Sequence, residues 1–487
     1  MRAVRPTPLL LLLTVVLVAL ALLRPVDHDE SQYVAAAMLT ADGWLPYRDY
    51  AYLQTPLQPF AFAPLLWVFG AFAWPALRIA NALLGVTTIA AGWRVMREGG
   101  VAPGVATVSA ALFAASDILL FSVGTARNDA LPAALLAVAL IPMLRAERGM
   151  GTRGGAVLAG LLLGAAASAK LSYALPAAAY GLYALAVRRH RPLWVALGAT
   201  PAVLLVAGLA VLAPDGFLFG VLTFPAEAPA EYYTAAGRAS KLSVAAKLVD
   251  TLKFLALGPA LLALIAIVGR ARSPHAQSLS VRGRERRLLD LLIAAGLLAA
   301  LLPSPTWRQY LLPMLVPLFV RLGYIWQSRP PARGWRIAAV VFACAGLAPS
   351  VEALAKGGTL AEGMAVARTL GHARGVATLS PQTLTTAPDR RFATGPFYFR
   401  SRTLLAVEQE RALHLVSRAR LDVLSADPPA FVLVGGEGAW SSGDESLDAD
   451  LERWAVANGY RLDRRISARF RLYARTAARA VPSMAPR

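Results

Sequence analysis

Apolar runs of roughly 15 to 22 residues recur through the N-terminal two thirds of the chain, each close to the length that crosses a ~30 Å hydrocarbon slab at ~1.5 Å per helical residue. They fall at 8–23, 76–93, 103–121, 130–144, 155–169, 171–187, 193–213, 249–269, 287–302, 309–326 and 336–350. With 57% hydrophobic and only 16% charged residues among 487, a soluble core cannot hide that much apolar surface. An all-α polytopic membrane protein of about 11 transmembrane helices is expected. The first run has two readings: Ala19-Leu20-Ala21 loosely fits a signal-peptide cleavage site, but the length of the run and the polar segment that follows favour an uncleaved span.

The net charge of +20 raises the question of a nucleic-acid partner. The Arg and Lys, however, fall between the apolar runs and form no stripe with interleaved aromatics, so no nucleic acid is expected. They report topology. With the N-terminus cytoplasmic, basic loops hold Arg94 and Arg97, then Arg145, Arg148 and Arg153, then Arg188, Arg189 and Arg191, then the arginines of 270–287, then Arg329, Arg333 and Arg336; the other face is poor in basic residues. Eleven spans put the C-terminus outside. The apolar stretch Pro56 to Phe72 would break this alternation if it spanned, so it is placed on the outer leaflet, with Trp67, Phe69 and Trp74 at the headgroup level. The 155–169 and 171–187 pair needs a very tight outer turn at Lys170. Composition rich in Ala, Arg, Gly and Leu points to a bacterial inner (plasma) membrane. The single cysteine, Cys344, permits neither an intramolecular disulfide nor a Cys-based zinc site. After Ser350 the chain becomes mixed in polarity. Residues 1–350 therefore read as the transmembrane domain, with a first outer loop at 24–75, and 351–487 as a small soluble α/β domain with strands near Gly375 to Leu379, Ala430 to Val434 and Phe470 to Ala474 and a helix at Leu447 to Ala457.

The polar clusters land on the outer side. Asp27-His28-Asp29-Glu30-Ser31-Gln32-Tyr33 opens a short helix in which Asp29 and Tyr33, four apart, share a face. An ionised Asp29 at a membrane surface is a candidate base; the alternative is a helix cap. Further on, Tyr47-Arg48-Asp49-Tyr50-Ala51-Tyr52-Leu53-Gln54-Thr55-Pro56-Leu57 offers aromatic faces for a sugar ring and the Arg48 fork for phosphate, or else an aromatic belt with a surface Arg48–Asp49 pair. Asp129, in Thr125-Ala126-Arg127-Asn128-Asp129, is an acid beside an Arg at the membrane boundary, costly unless it serves a site; a helix N-cap is the alternative. Asp117, Arg78 and Lys170 lie near outer ends of spans, where the two cations can meet an anionic group. The loop from Pro214 to Val249 has the length of a lid. Arg308 and Tyr310, in Trp307-Arg308-Gln309-Tyr310-Leu311-Leu312-Pro313, open a late span where an Arg can clamp a lipid phosphate.

An N-terminal span, an outer Asp-Glu-x-x-Tyr, an interfacial aromatic segment before Pro56-Leu57, the second acid Asp129 and the late Arg308-x-Tyr310-Leu311-Leu312-Pro313 together resemble the membrane-embedded C-type glycosyltransferases. The branch of protein mannosyltransferases and lipid A aminoarabinose transferases is the most similar, over nearly the whole chain and most strongly over 24–145 and 303–320. The resemblance implies that Asp29 is the catalytic base and that Asp129 helps form the site. It implies a substrate-binding set of Glu30, Tyr33, Arg48, Tyr50, Gln54, Arg127, Lys170, Arg308 and Tyr310. One departure stands out: related transferases carry a Lys before Pro-Pro-Leu, whereas this chain reads Gln54-Thr55-Pro56-Leu57, so another cation must meet the phosphate.

The implied reaction is inverting displacement at the anomeric carbon of a polyprenyl-phosphate-linked sugar by the hydroxyl of a lipid, glycan or protein acceptor. No cofactor is expected, although Asp27, Asp29 and Glu30 are hard oxygen ligands of the type Mg or Mn takes. The competing function is a transporter or flippase of lipid-linked sugars, which would show internal repeats and charges deep in broken helices; the sequence displays neither.

Overall fold

The computed structural model describes residues 6–271, 281–371, 373, 375–378, 388–392, 405–416, 421, 423–435 and 446–475. Part of the expected basic loop, 272–280, lies outside them. The chain is mainly helical and divides into two compact units: 1–24, 78–208 and 237–356 in the first, 25–77, 209–236 and 357–487 in the second.

Among the described residues five helices are long and apolar enough to cross a membrane: Leu57–Glu98, Ala130–Glu147, Pro192–Leu212, Arg308–Ser328 and Arg333–Ala355. The protein is a multi-pass membrane protein. Two further pairs meet the criterion only if each bent pair counts as one span, giving seven, and Pro8–Leu23, Arg153–Ala169 and Leu171–Ala186 are shorter apolar helices. The eleven expected spans are therefore not all matched by length. The run at 287–302 lies in the helix Val281–Leu301, whose first half is charged.

The bends are a departure from the straight spans expected at 103–121 and 249–269. Pro103–Ala114 and Asp117–Val123 meet at 68°, and Val244–Ala256 and Ala260–Gly269 at 102°. The breaks face each other: the Asp117 N–H donates to the Leu257 carbonyl at 3.1 Å instead of continuing its own helix. Gly258, at φ +138°, lies so close that a Cβ there would stand 2.9 Å from Ser116 Cα. The sharper bend has a local cause, because Gly258 precedes Pro259, and the residue before a proline avoids helical backbone. Lys170 makes the expected tight turn: it ends the helix Arg153–Ala169 in an extended conformation and a single 3-10 turn, Leu171–Tyr173, leads into Ala174–Ala186.

Leu57–Phe69 continues through one turn into Ala73–Glu98, a 42-residue stretch, about twice what a bilayer needs. Trp67, Val68 and Phe69 are exposed, but Trp74 is buried, contrary to its expected interfacial position, because its indole N–H donates to Glu30 at 3.2 Å. The loop expected as a lid is helical over Pro214–Leu218 and Phe224–Ala235. Gly220 permits the carbonyl of Tyr52 to pack where a Cβ would stand 2.0 Å away. The tail contributes a four-stranded sheet in the order β1-β2-β4-β3, where β1 is Val376–Ala377, β2 Phe431–Val434, β3 Tyr460–Arg465 and β4 Arg471–Arg475. β1 runs parallel to β2, and the other pairings are antiparallel. The helix Ser446–Ala457 covers it, burying Leu447, Leu451 and Ala455 against Val432, Val434 and Tyr473. Strand β3, with five exposed residues in six, was not legible from apolar content.

Candidate functional site

The first unit gathers buried charge around one aromatic ring. Asp117–Val123 presents Phe121, and three guanidinium groups lie over it: Arg308 at 3.7 Å from the ring centroid, Arg127 at 5.2 Å and Arg24 at 5.3 Å. The negative face of the phenyl ring favours such cations, and more so where water is excluded. Arg308 Nη1 also donates to Asp117 Oδ2 at 2.8 Å. Asp129 opens the helix Ala130–Glu147, yet its side chain makes no capping bond. Its carboxylate instead accepts from Arg127 Nε at 3.1 Å and from Lys170 Nζ. Lys170 also lies 3.4 Å from Asn128 Oδ1 and 5.6 Å from the centre of the Tyr310 ring.

A second layer fixes these groups. Arg78, fully buried, donates through Nη1 to the carbonyls of Ala21 and Arg24 at 2.7 Å each, holding the end of the first helix. Asn81, one turn along the same helix, donates to the carbonyls of Thr125 and Arg127, also at 2.7 Å, and so shapes the loop before Asp129. Arg308 pairs with Asp117, Arg127 and Lys170 pair with Asp129, and of the five cations Arg24, Arg78, Arg127, Lys170 and Arg308 the first four are less than a tenth exposed. Asn81 Oδ1, Asp117 Oδ1 and the Tyr173 hydroxyl are buried with no hydrogen-bond partner among the described residues. The cations and the Tyr173 hydroxyl can donate to an anion, whereas Asn81 Oδ1 and Asp117 Oδ1 are acceptors and call for a donor.

Asp129, Arg127, Lys170, Arg308 and Tyr310, all expected site residues, thus come together. Arg24, Phe121 and Asn81 were missed. Arg24 carried a signal, a lone cation ending the first apolar run, whereas nothing local distinguishes Phe121.

The other expected residues belong to the second unit. Asp29 occupies the N-cap position of Glu30–Ala41, but its carboxylate makes no capping bond; Oδ1 lies 3.6 Å from His28 Nε2, and its side chain is 15% exposed. The N–H of Asp29 donates to Asp27 Oδ1 at 3.0 Å, so the neighbouring acid orders the turn. Glu30 is fully buried, accepting from Trp74 Nε1 and from the Asp27 N–H at 2.8 Å, which fits a support for the loop better than direct substrate binding. Tyr33 is buried one turn beyond Asp29. Arg48 forms a bidentate pair with Asp49, at 2.9 and 2.7 Å, and holds that carboxyl below its ordinary range. Its backbone carbonyl takes His414 Nε2 at 2.7 Å. Tyr50 is fully enclosed, its hydroxyl 2.9 Å from Thr40 Oγ1 and donating to the Ala36 carbonyl at 3.2 Å, and burial pushes its pKa well up. The Gln54 carbonyl accepts from the Tyr47 hydroxyl, tying the loop into a turn. No group of three His, Cys, Asp or Glu suited to a metal occurs among the described residues.

The expected lack of charge deep in a span does not hold. Arg321, buried mid-way along Leu312–Ser328, pairs with Asp290 at 3.0 Å, and the Arg308–Asp117 pair sits at a helix break.

A family model described as Glycosyltransferase family 87 matches residues 53–305. Among solved structures, the chain is similar to ArnT from Cupriavidus metallidurans bound to undecaprenyl phosphate, with a TM-score of 0.58 at 17% identity over 98% of this chain and 99% of that one. It is similar also to the apo state of the same protein, with a TM-score of 0.56 at 16% identity over 98% and 99%. At this identity the likeness shows the fold. A comparison with curated protein sequences finds no match.

Proposed function

We propose, from the premise that the chain belongs to glycosyltransferase family 87 and is a C-type membrane glycosyltransferase, that it moves a sugar from a polyprenyl phosphate to a hydroxyl of an extracytoplasmic lipid, glycan or protein, with inversion. The observation that carries this reading is the convergence of three guanidinium groups on Phe121. A lipid phosphate is an anion delivered among apolar helices, and its oxygens can accept from such a cluster. The neighbouring ArnT structure was solved with undecaprenyl phosphate.

In the reaction, the acceptor oxygen attacks the anomeric carbon while the bond from that carbon to the phosphate oxygen breaks. Asp29 takes the acceptor proton, and the polyprenyl phosphate leaves with the electron pair. Arg308, Arg127, Arg24 and Lys170 stabilise the charge that grows on the leaving phosphate, with Asp117 and Asp129 orienting them. The topology that goes with this is a bacterial inner membrane, a cytoplasmic N-terminus, and 351–487 as an extracytoplasmic domain.

The test is binding of undecaprenyl phosphate to the purified protein in nanodiscs. Arg308→Gln is expected to weaken it about tenfold or more, the worth of one charge-assisted contact; unchanged binding contradicts the assignment. A second reading, flipping of lipid-linked sugars, draws on the broken helix at Ser116 and Asp117 with its buried ion pair. Labelled donor crossing protein-containing liposomes with no acceptor consumed would favour it over transfer.

A further inference from the structure

A cavity of about 400 Å³ opens between the helices Ala130–Glu147 and Arg153–Ala169 of the first unit, and the transfer reading makes no use of it. Its walls are of two kinds. Val138, Ile141, Pro142 and Leu158 line one part, and Arg94, Arg145 and Arg189 the other. The guanidinium groups are incompletely neutralised: Arg94 at 3.0 Å and Arg145 at 2.6 Å share the single carboxylate of Glu98, and Arg148 comes within 3.8 Å of it. Arg189 reaches Glu147 only at 3.7 Å, while that carboxylate is already bonded to His190 at 3.0 Å and to the Tyr183 hydroxyl. The side chains of Arg94, Arg145 and Arg189 are 58%, 41% and 40% exposed, and if Arg189 turns to a ligand the buried Glu147 carboxylate keeps Tyr183, His190 and, at 3.6 Å, Arg284. At the same rim, a Cβ on Gly154 would meet nothing within 4 Å, and the main chain there is open to approach.

A pocket that is apolar along one wall and cationic at its mouth matches an amphiphile with an anionic head. We propose that this cavity binds the phosphodiester headgroup of an anionic phospholipid, with the acyl chains along the Ile141 and Leu158 wall. The proposal does not depend on the transfer reading.

The experiment is native mass spectrometry of delipidated full-length protein in neutral detergent, titrated with phosphatidylglycerol, phosphatidylcholine or inorganic phosphate. Phosphatidylglycerol is expected to bind and phosphatidylcholine not. The variant R94Q/R189Q is expected to lose about tenfold or more in phosphatidylglycerol affinity, on the order of one unit of charge attraction per arginine, while R333Q/R336Q, which removes two exposed charges elsewhere, binds as wild type does. Leu158→Trp, which narrows the apolar wall and leaves every charge in place, is expected to weaken the lipid as well. Equal binding by wild type and R94Q/R189Q overturns the site. Displacement of the lipid by millimolar inorganic phosphate, with Leu158→Trp unaffected, overturns the lipid in favour of a free phosphate.

Discussion

At the residue scale, placement separates groups that can act from groups that support. Asp29 sits where a helix cap belongs, and its carboxylate makes no capping bond. Asp29→Asn is expected to lower sugar transfer by about 100-fold or more, the typical worth of a general base, with undecaprenyl phosphate binding unchanged; equal losses in both would make Asp29 a binding residue. Asp117 and Arg308 form a unit, since removing Arg308 takes the cation from a fully buried Asp117. Arg308→Gln alone is expected to cost thermal stability, in line with the ~3–5 kcal/mol for breaking a buried pair, and R308Q/D117N to recover most of it; no recovery in thermal unfolding would separate the two residues. Tyr50, by contrast, supports. Tyr50→Phe removes its bonds to Thr40 and Ala36 and is expected to destabilise by about 1 kcal/mol with KM for the donor unchanged, measured by denaturation and steady-state kinetics.

At the element scale, small residues decide where helices touch. A Cβ on Gly160 would stand 1.9 Å from the Val195 carbonyl oxygen, and one on Gly198 2.0 Å from that of Val157. The helices Arg153–Ala169 and Pro192–Leu212 therefore meet backbone to backbone, as small residues allow in membranes. Gly160→Leu is expected to lower the unfolding temperature and the folded yield in detergent, whereas Gly181→Leu, where a Cβ would meet nothing within 4 Å, leaves both near wild type. The apolar runs marked the helices because each must satisfy its own backbone in lipid. The bends were less legible. Gly258-Pro259 announces one, but the break at Ser116 depends on a long-range bond from Asp117 to Leu257, and no local pattern encodes a partner 140 positions away.

At the scale of the whole molecule, the expected site was legible in halves. The order of motifs along the chain identified Asp129, Arg127, Lys170 and Arg308, which the first unit does bring together. Arg24 and Phe121 escaped because their role exists only once three distant segments converge. Tyr50 and Glu30 are both enclosed, and a polar or aromatic residue in a loop looks the same in sequence whether it faces a ligand or ties the loop down. Labelling tests the topology. In a Cys344→Ser background, Ala457→Cys is expected to react with an impermeant maleimide added outside intact cells, and Arg333→Cys only after permeabilisation; the reverse pattern would invert the proposed orientation.

The central claim is sugar transfer from a lipid phosphate with Asp29 as base. Its most direct test is release of free polyprenyl phosphate by the purified protein in lipid nanodiscs, supplied with a panel of polyprenyl-phosphate sugars and a membrane-lipid extract as acceptor, for wild type and Asp29→Asn. Release by wild type that collapses in a folded Asp29→Asn protein is the expected result, and the donor that responds names the sugar. Equal release by both proteins would contradict it.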